Sequence, residues 1–196
     1  MNLPNKLTVM RIILVPFMVA SMLIEFPFHY LVAGLIFGAA SLTDYFDGKI
    51  ARERNLITNF GKFADPIADK ILVVSALVCF LAKGLCDPII ILIVLFREFV
   101  VTSIRLSAAS NGTVVAANMW GKVKTVTQMI AIIAVFVFQV ALEVYAVFPY
   151  MPQLAVQKME NIFFVAGEVL MWISVVFTVI SGLIYVLDNK EAIADK

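Results

Sequence analysis

The sequence predicts an all-α integral membrane protein, a bundle of six transmembrane helices forming one catalytic domain over residues 1–196. Composition is the first reason: 62% of the residues are hydrophobic, 15% are charged, and the mean hydropathy is +0.99. This amounts to roughly 120 apolar residues, about six times the ~20 that one membrane-spanning helix needs. A soluble domain, a nucleic-acid-binding protein or a disordered chain would not have this composition.

The second reason is that the apolar residues form six long runs broken by charged or turn residues. The predicted spans are residues 7–26, 30–50, 63–83, 88–109, 122–148 and 162–187. The first run follows Lys6 and resembles a signal peptide, but it lacks a small-residue cleavage site and further spans follow it. We therefore expect it to be retained as the first helix.

The positions of the cations predict the orientation, because loops rich in Lys and Arg stay in the cytoplasm. If the N-terminus is inside, only Lys83 and Lys158 lie on the outer side, and Arg97 falls within the fourth span. All remaining cations lie on the inner side: Lys6, Arg11, Lys49, Arg52, Arg54, Lys62, Lys70, Arg105, Lys122, Lys124, Lys190 and Lys196. Both termini are therefore predicted to be cytoplasmic, in the cell's inner membrane.

Paired aspartates lie where the second span ends and the third begins. Residues 43–52 read TDYFDGKIAR and residues 61–70 read GKFADPIADK. On a helix of ~100° per residue, Asp44 and Asp47 share one face, and Asp65 and Asp69 lie ~40° apart. The short loop makes the two helices antiparallel neighbours, so four carboxylates are predicted to converge at the cytoplasmic boundary.

Four clustered carboxylates need compensation, since each costs ~2.5–3.5 kcal/mol at the centre of a membrane helix and less near the interface. Two divalent cations would cancel their charge. With no His or Cys nearby, the oxygen ligands favour Mg²⁺ or Mn²⁺. The sequence therefore predicts a centre of two divalent cations held by Asp44, Asp47, Asp65 and Asp69.

Small residues and cations around the aspartates indicate an anionic substrate. Gly48, Ala51 and Gly61 leave one side of the cluster without bulk, where a substrate can approach. A pair of metal ions can hold a bridging phosphate and stabilise a displacement at phosphorus. The nearby cations add positive potential: Arg52, Lys62, Lys70, Arg105, Lys122 and Lys124. Phosphoryl chemistry at the inner membrane face is the expected activity.

The spacing D-x-x-D-G-x-x-A-R, eight residues, then G-x-x-x-D-x-x-x-D resembles the signature of the CDP-alcohol phosphotransferases. Its fixed positions are Asp44, Asp47, Gly48, Ala51, Arg52, Gly61, Asp65 and Asp69. The resemblance implies a homodimeric membrane enzyme that moves a phosphatidyl group from CDP-diacylglycerol to an alcohol and releases CMP. It implies that Asp69 is the general base as well as a metal ligand. The implied CDP-lipid-binding residues are Asn5, Thr8, Gly48, Ala51, Arg52 and Gly61.

Three further segments resemble the phosphatidylglycerophosphate synthase branch of that family. They are residues 4–8 with Arg11, Arg97-Glu98 with Thr102 and Arg105, and residues 121–125 with Gln128. The implied acceptor is sn-glycerol 3-phosphate, and the implied product is the precursor of phosphatidylglycerol.

Charge supports a phosphorylated acceptor, because Arg105, Lys122 and Lys124 lie in one predicted cytoplasmic region and could hold its phosphate. An uncharged acceptor such as serine would not need them all. Inositol phosphate would, so charge alone does not choose the acceptor. Positive-inside topology is another interpretation of these three cations.

Two other protein classes use intramembrane acids. Prenyltransferases hold a diphosphate with aspartate-rich helices and Mg²⁺, but they carry two motif sets on a longer bundle. A divalent-cation transporter would place its acids along a pathway near the midplane, not beside a dense basic set at one end. For Arg97 and Glu98 in the fourth span, an ion pair that holds the bundle and a role in substrate binding both stay open.

Overall fold

Regular structure in the described part of the chain is entirely α-helical, as predicted. The computed structural model describes residues 3–53, 59–110, 118–148 and 152–190, without the side chains of residues 3, 4, 45–53, 59–63, 65, 66, 109 and 110. Those ranges form six helices: α1 (Leu3–Leu23), α2 (His29–Glu53), α3 (Asn59–Ala82), α4 (Pro88–Ser110), α5 (Met119–Val147) and α6 (Gln153–Asp188).

The last two helices begin earlier than the apolar runs do. α6 begins at Gln153, directly after Pro152, rather than at residue 162. The polar residues Lys158 and Glu160 interrupt the apolar run, but they are good helix formers and do not interrupt the helix. α5 begins at Met119 because the Asn118 side chain accepts a hydrogen bond from the backbone N–H of Trp120 and caps the first turn.

Three helices are long and apolar enough to cross a membrane among the residues described: α1 over Asn5–Leu23, α5 over Met119–Val147 and α6 over Gln153–Asp188. Large apolar side chains such as Phe96, Phe99 and Leu183 are exposed on the outside of the bundle. Such a surface is expected to face lipid rather than water. Membrane crossing by α2, α3 and α4 stays a prediction.

Contacts between helices show how they run relative to one another. Asn118 at the start of α5 donates a hydrogen bond to Asp188 at the end of α6, so these two helices are antiparallel. α4 and α6 run in the same direction, because Arg97 and Arg105 of α4 bond Ser181 and Tyr185 of α6 in that order. The directions of α4, α5 and α6 therefore alternate.

The buried core draws apolar side chains from all six helices, and aromatic rings of α2, α3 and α5 meet within it. The ring of Phe136 lies 5.7 Å from that of Phe37 and 5.0 Å from that of Phe80. Gly34 lets α2 approach α5 here, since a Cβ atom at Gly34 would lie 3.4 Å from Phe136. Contact between these rings holds α2, α3 and α5 together. The same three helices carry Asp44, Asp69 and Lys124 at one end of the bundle.

At the opposite end, Glu143 of α5 caps the start of α2. Its carboxylate accepts hydrogen bonds from the backbone N–H groups of Tyr30 at 3.1 Å and Leu31 at 3.3 Å, and His29 Nε2 lies 3.6 Å from it. A carboxylate is favourable there because a helix N-terminus carries partial positive charge and unpaired N–H groups. Glu143 is therefore a structural carboxylate at the far end from the predicted aspartate cluster.

Candidate active site

An ion pair joins α1 to α2 beside the predicted aspartate cluster. Arg11 Nη1 lies 2.6 Å from Asp44 Oδ1, and the side-chain exposures are 0% for Arg11 and 44% for Asp44. A buried guanidinium in an apolar bundle requires a compensating carboxylate. Asp44 is thus fixed from the inside, while nearly half of its side chain stays accessible to a ligand.

Asp69 is the other predicted metal-binding residue whose side chain is described. It is exposed. It interacts electrostatically with the carboxylates of Asp44 and Glu98 and with the cations of Arg11 and Lys124. These four partners come from α2, α4, α1 and α5, so Asp69 lies within electrostatic range of charged groups on four other helices. The structure brings Asp44 and Asp69 into electrostatic range of each other, as expected for two residues of one site.

The remaining predicted residues of the aspartate motif lie outside the described side chains: Asp47, Gly48, Ala51, Arg52, Gly61 and Asp65. The backbone of each of them is helical, within α2 or α3. Helical spacing is the premise for placing Asp47 beside Asp44 and Asp65 beside Asp69, and both helices satisfy it. The roles of the six residues stay predictions.

A divalent cation fits the donor set that is described. Asp44 and Asp69 supply accessible carboxylate oxygens that repel each other, and a hard cation between them would relieve this repulsion. Within the described side chains, no three acidic, His or Cys residues form a group that could hold a metal ion. Asp47 and Asp65, the other two predicted ligands, lie outside the described side chains, so the four-carboxylate metal site stays a prediction.

Asn5 and Thr8 lie on the same face of α1 as Arg11. Their relative exposures are 7% and 0%, and Arg11 is fully buried. Residues spaced by three share a helix face, so Asn5, Thr8 and Arg11 form a row of buried polar side chains on α1. Arg11 at the end of this row pairs with Asp44. A role of Asn5 and Thr8 in CDP-lipid binding stays a prediction.

A second charged cluster surrounds Glu98 of α4. Glu98 Oε1 lies 2.8 Å from Lys124 Nζ and 2.9 Å from Arg97 Nη1, and Glu98 Oε2 lies 3.6 Å from Lys70 Nζ. Lys70 also donates a hydrogen bond to Thr102. Three cations from α3, α4 and α5 therefore share one carboxylate.

The three predicted phosphate-binding cations are not all close together. Lys124 is buried against Glu98, whereas Lys122 is exposed and forms no ion pair with a described residue. Residues two positions apart on a helix are separated by about 200° around its axis, so Lys122 and Lys124 point to different faces of α5. Arg105 is exposed, and its Nε donates a hydrogen bond to the Tyr185 hydroxyl at 3.0 Å.

Two parts of the site were missing from the sequence-based set. The first was the ion pair of Arg11 with Asp44. A cation inside an apolar run needs an anionic partner, so the position of Arg11 in the first run could have indicated such a pair. The second was Glu98 as the common acceptor for Lys70, Arg97 and Lys124. Arg97 is adjacent to Glu98 in the sequence, but Lys70 and Lys124 lie on two other helices, and no sequence spacing relates them to Glu98.

Known proteins resemble this chain over nearly its whole length. The family model for CDP-alcohol phosphatidyltransferases matches residues 1–180. A CDP-diacylglycerol–glycerol-3-phosphate 3-phosphatidyltransferase of Bacillus subtilis (strain 168) is 39% identical, over 98% of this chain and 97% of that protein. A protein of the same name from Rickettsia bellii (strain RML369-C) is 37% identical, over 94% of this chain and 93% of that protein. Another from Salmonella typhimurium (strain LT2) is 39% identical, over 67% of this chain and 74% of that protein.

The family match covers the aspartate motif and all six helices up to the last part of α6. The resemblance that the motif indicates is thereby confirmed by residues far outside it. The chain belongs to the CDP-alcohol phosphatidyltransferase family.

Proposed function

We propose that this protein transfers the phosphatidyl group of CDP-diacylglycerol to sn-glycerol 3-phosphate, releasing CMP and forming phosphatidylglycerophosphate for phospholipid biosynthesis. The observation that carries the proposal is the near-full-length identity to relatives named for this reaction. The position of Asp69 within electrostatic range of Asp44 and of the cations Arg11 and Lys124 supports the proposal, because the reaction joins two anionic substrates.

Asp69 is the proposed general base. It takes the proton of the primary hydroxyl of glycerol 3-phosphate, whose oxygen forms a bond to the phosphorus next to diacylglycerol. The bond from that phosphorus to the CMP oxygen breaks, and Arg52 stabilises the negative charge on departing CMP. The exposure of Asp69 is consistent with direct access to an acceptor. No covalent enzyme intermediate is required.

Asp44, Asp47, Asp65 and Asp69 are the proposed ligands of two divalent cations, Mg²⁺ or Mn²⁺. When bound, such ions supply Lewis-acid stabilisation of a diphosphate. A free Asp carboxylate has a pKa of ~3.9, far below that of an alcohol, so a base of this type needs such assistance. Arg11 holds Asp44 from the inside, which orients the carboxylate before a ligand arrives.

The substrate contacts proposed here follow the sequence motifs. The CDP-lipid is assigned to Asn5, Thr8, Gly48, Ala51, Arg52 and Gly61. The acceptor phosphate is assigned to Arg105, Lys122 and Lys124. Support for Arg105 comes from Tyr185, which holds its guanidinium at the end of the bundle with the charged clusters. Lys122 provides an exposed cation at the same end.

The proposed setting is the inner membrane, with six spans, both termini and the active site on the cytoplasmic side, and a homodimer as the assembly. Alternating helix directions support this topology, because they bring Arg11, Asp44, Asp69 and Glu98 to one end. The apolar lengths of α1, α5 and α6 support the membrane location.

An acceptor panel tests the proposed reaction. Purified protein with CDP-diacylglycerol and Mg²⁺ is offered glycerol 3-phosphate, inositol phosphate, serine or phosphatidylglycerol, and CMP release is measured. We expect CMP release and phosphatidylglycerophosphate with glycerol 3-phosphate alone. CMP release with another acceptor but not with glycerol 3-phosphate would contradict the proposed function. Pyrophosphate release from prenyl diphosphates, or metal flux into proteoliposomes without CDP-lipid, would contradict it as well.

A further inference from the structure

Glu98 of α4 contacts charged side chains of two other helices, α3 and α5. It accepts hydrogen bonds from Lys124 of α5 at 2.8 Å and from Arg97 of its own helix at 2.9 Å, both at Oε1. Its other oxygen lies 3.6 Å from Lys70 of α3. Hydrogen bonds between charged groups are short and directional, so this carboxylate fixes the ammonium group of Lys124. Lys70 donates its hydrogen bond to Thr102 and lies at ion-pair distance from the same carboxylate.

The surroundings of Arg97 show that the cluster is tightly built. Arg97 Nη2 donates a hydrogen bond to Ser181 Oγ at 2.8 Å. Gly182 makes room for its side chain, since a Cβ atom there would lie 3.2 Å from Arg97 Cγ. A Cβ atom on Gly121 would lie at the ordinary contact distance of 3.6 Å from Arg97 Nη2. Arg97 is thus seated between α5 and α6, which fixes the Glu98 carboxylate from the α6 side.

Charge within the cluster is unbalanced. One carboxylate faces three cations, Lys70, Arg97 and Lys124, which leaves two positive charges beyond neutrality among these four residues. Lys124 is only 5% exposed and interacts electrostatically with Asp69. Positive charge in excess in a partly buried site favours a bound anion, and Lys124 lies within electrostatic range of Asp69, the proposed base.

We propose that Glu98 is a positioning residue for the acceptor phosphate: it holds Lys124 and Lys70 in place beside Asp69, so that the phosphate of the acceptor binds with its hydroxyl next to that carboxylate. This inference rests on the proposed function. Glu98 does not touch the substrate. Without its charge, the cations repel one another and lose their common acceptor.

Steady-state kinetics of Glu98→Gln test this role. Glutamine keeps the size of the side chain and removes its charge. We expect the KM for glycerol 3-phosphate to rise at least tenfold, while the KM for CDP-diacylglycerol changes less than threefold. Glu98→Asp keeps the negative charge but moves it away from Lys124 by about the length of one C–C bond, ~1.5 Å. The KM of this variant for glycerol 3-phosphate should therefore lie between those of wild type and Glu98→Gln.

Glu143→Gln is the matched control. The side-chain exposures of Glu98 and Glu143 are similar, 17% and 12%, but Glu143 binds the start of α2 at the far end of the bundle. We expect Glu143→Gln to lower the thermal midpoint and to leave both KM values unchanged. A purely structural role for Glu98 would give the same result as this control.

The outcomes separate the two proposals. Wild-type protein that releases no CMP with glycerol 3-phosphate would overturn the proposed function and, with it, the role of Glu98. Active wild type, together with a Glu98→Gln variant whose acceptor KM is unchanged or rises only in parallel with the KM for CDP-diacylglycerol, would overturn the role of Glu98 alone. If Glu98→Gln does not fold, an unchanged acceptor KM in Glu98→Asp overturns it, and a selective rise supports it.

Discussion

The ion pair between Arg11 and Asp44 predicts a measurable coupling between α1 and α2. Arg11→Met removes the charge of the buried side chain and keeps most of its apolar length, and Asp44→Asn removes the partner charge at nearly constant size. With both single variants and the double variant, a double-mutant cycle isolates the interaction from the other contacts of each residue. The cycle therefore reports on the pair itself.

The size of this coupling follows from distance and burial. At 2.6 Å the Coulomb attraction would be about 1.6 kcal/mol in water and about 6 kcal/mol at an effective dielectric constant of ~20. Exposed pairs give about 0.2–1 kcal/mol, and removing one partner of a buried pair costs about 3–5 kcal/mol. Because Arg11 is 0% exposed and Asp44 is 44% exposed, we expect an intermediate coupling of about 2 kcal/mol.

The assay is equilibrium unfolding in mixed detergent micelles, followed by tryptophan fluorescence. A chelator is present throughout, because a bound cation would add its own stabilisation to variants that keep Asp44. A coupling below about 0.5 kcal/mol would refute the reasoning, since it would place Arg11 and Asp44 in the range of ordinary exposed pairs.

Three further predictions concern single side chains. Asp69→Asn should nearly abolish CMP release while leaving the folded state and much CDP-lipid binding intact, and full turnover in this variant would exclude Asp69 as the base. Arg105→Ala and Lys122→Ala should each raise the KM for glycerol 3-phosphate more than the KM for CDP-diacylglycerol, and the reverse order would contradict their placement at the acceptor phosphate. Burial, with smaller contributions from Glu168 and Asp87, raises the pKa of the Cys86 thiol to about 12. The thiolate is then about one part in ten thousand at pH 8, so iodoacetamide should label Cys86 only after unfolding, and rapid labelling of the folded protein would contradict this burial.

Apolar runs predict the helices well, because a bilayer demands long, continuous apolar segments. They are less informative at helix ends. The first turns of α6, from Gln153 onward, are polar and lie before the apolar run, so hydropathy placed the start at residue 162. Helix propensity and the preceding Pro152 carry the missing information.

Sequence spacing relates residues on one helix or on two neighbours joined by a short loop. The proximity of Asp44 and Asp69 was accessible in this way. The contacts of Glu98 with Lys70 and Lys124 were not, since these two lysines meet it only through the packing of α3, α4 and α5. A general principle indicated only that an ionisable residue in a membrane helix needs a partner, without saying which.

The position of Lys122 illustrates another limit. Its closeness to Lys124 in sequence places both cations in the proposed phosphate site, but it does not show that the helix turns them to different faces or that Lys124, unlike Lys122, pairs with Glu98. Two residues that are two positions apart on a helix face different directions, so they contact different neighbours despite their closeness in the sequence.

Binding of Mn²⁺ to the purified protein, followed by electron paramagnetic resonance, tests the central claim that carboxylates of α2 and α3 together hold divalent cations. We expect about two ions per wild-type chain, and a loss of at least one of them in Asp44→Ala and in Asp69→Ala, while Glu143→Gln binds like wild type. Wild-type protein that binds no Mn²⁺, or equal binding by wild type and both aspartate variants, would contradict the account.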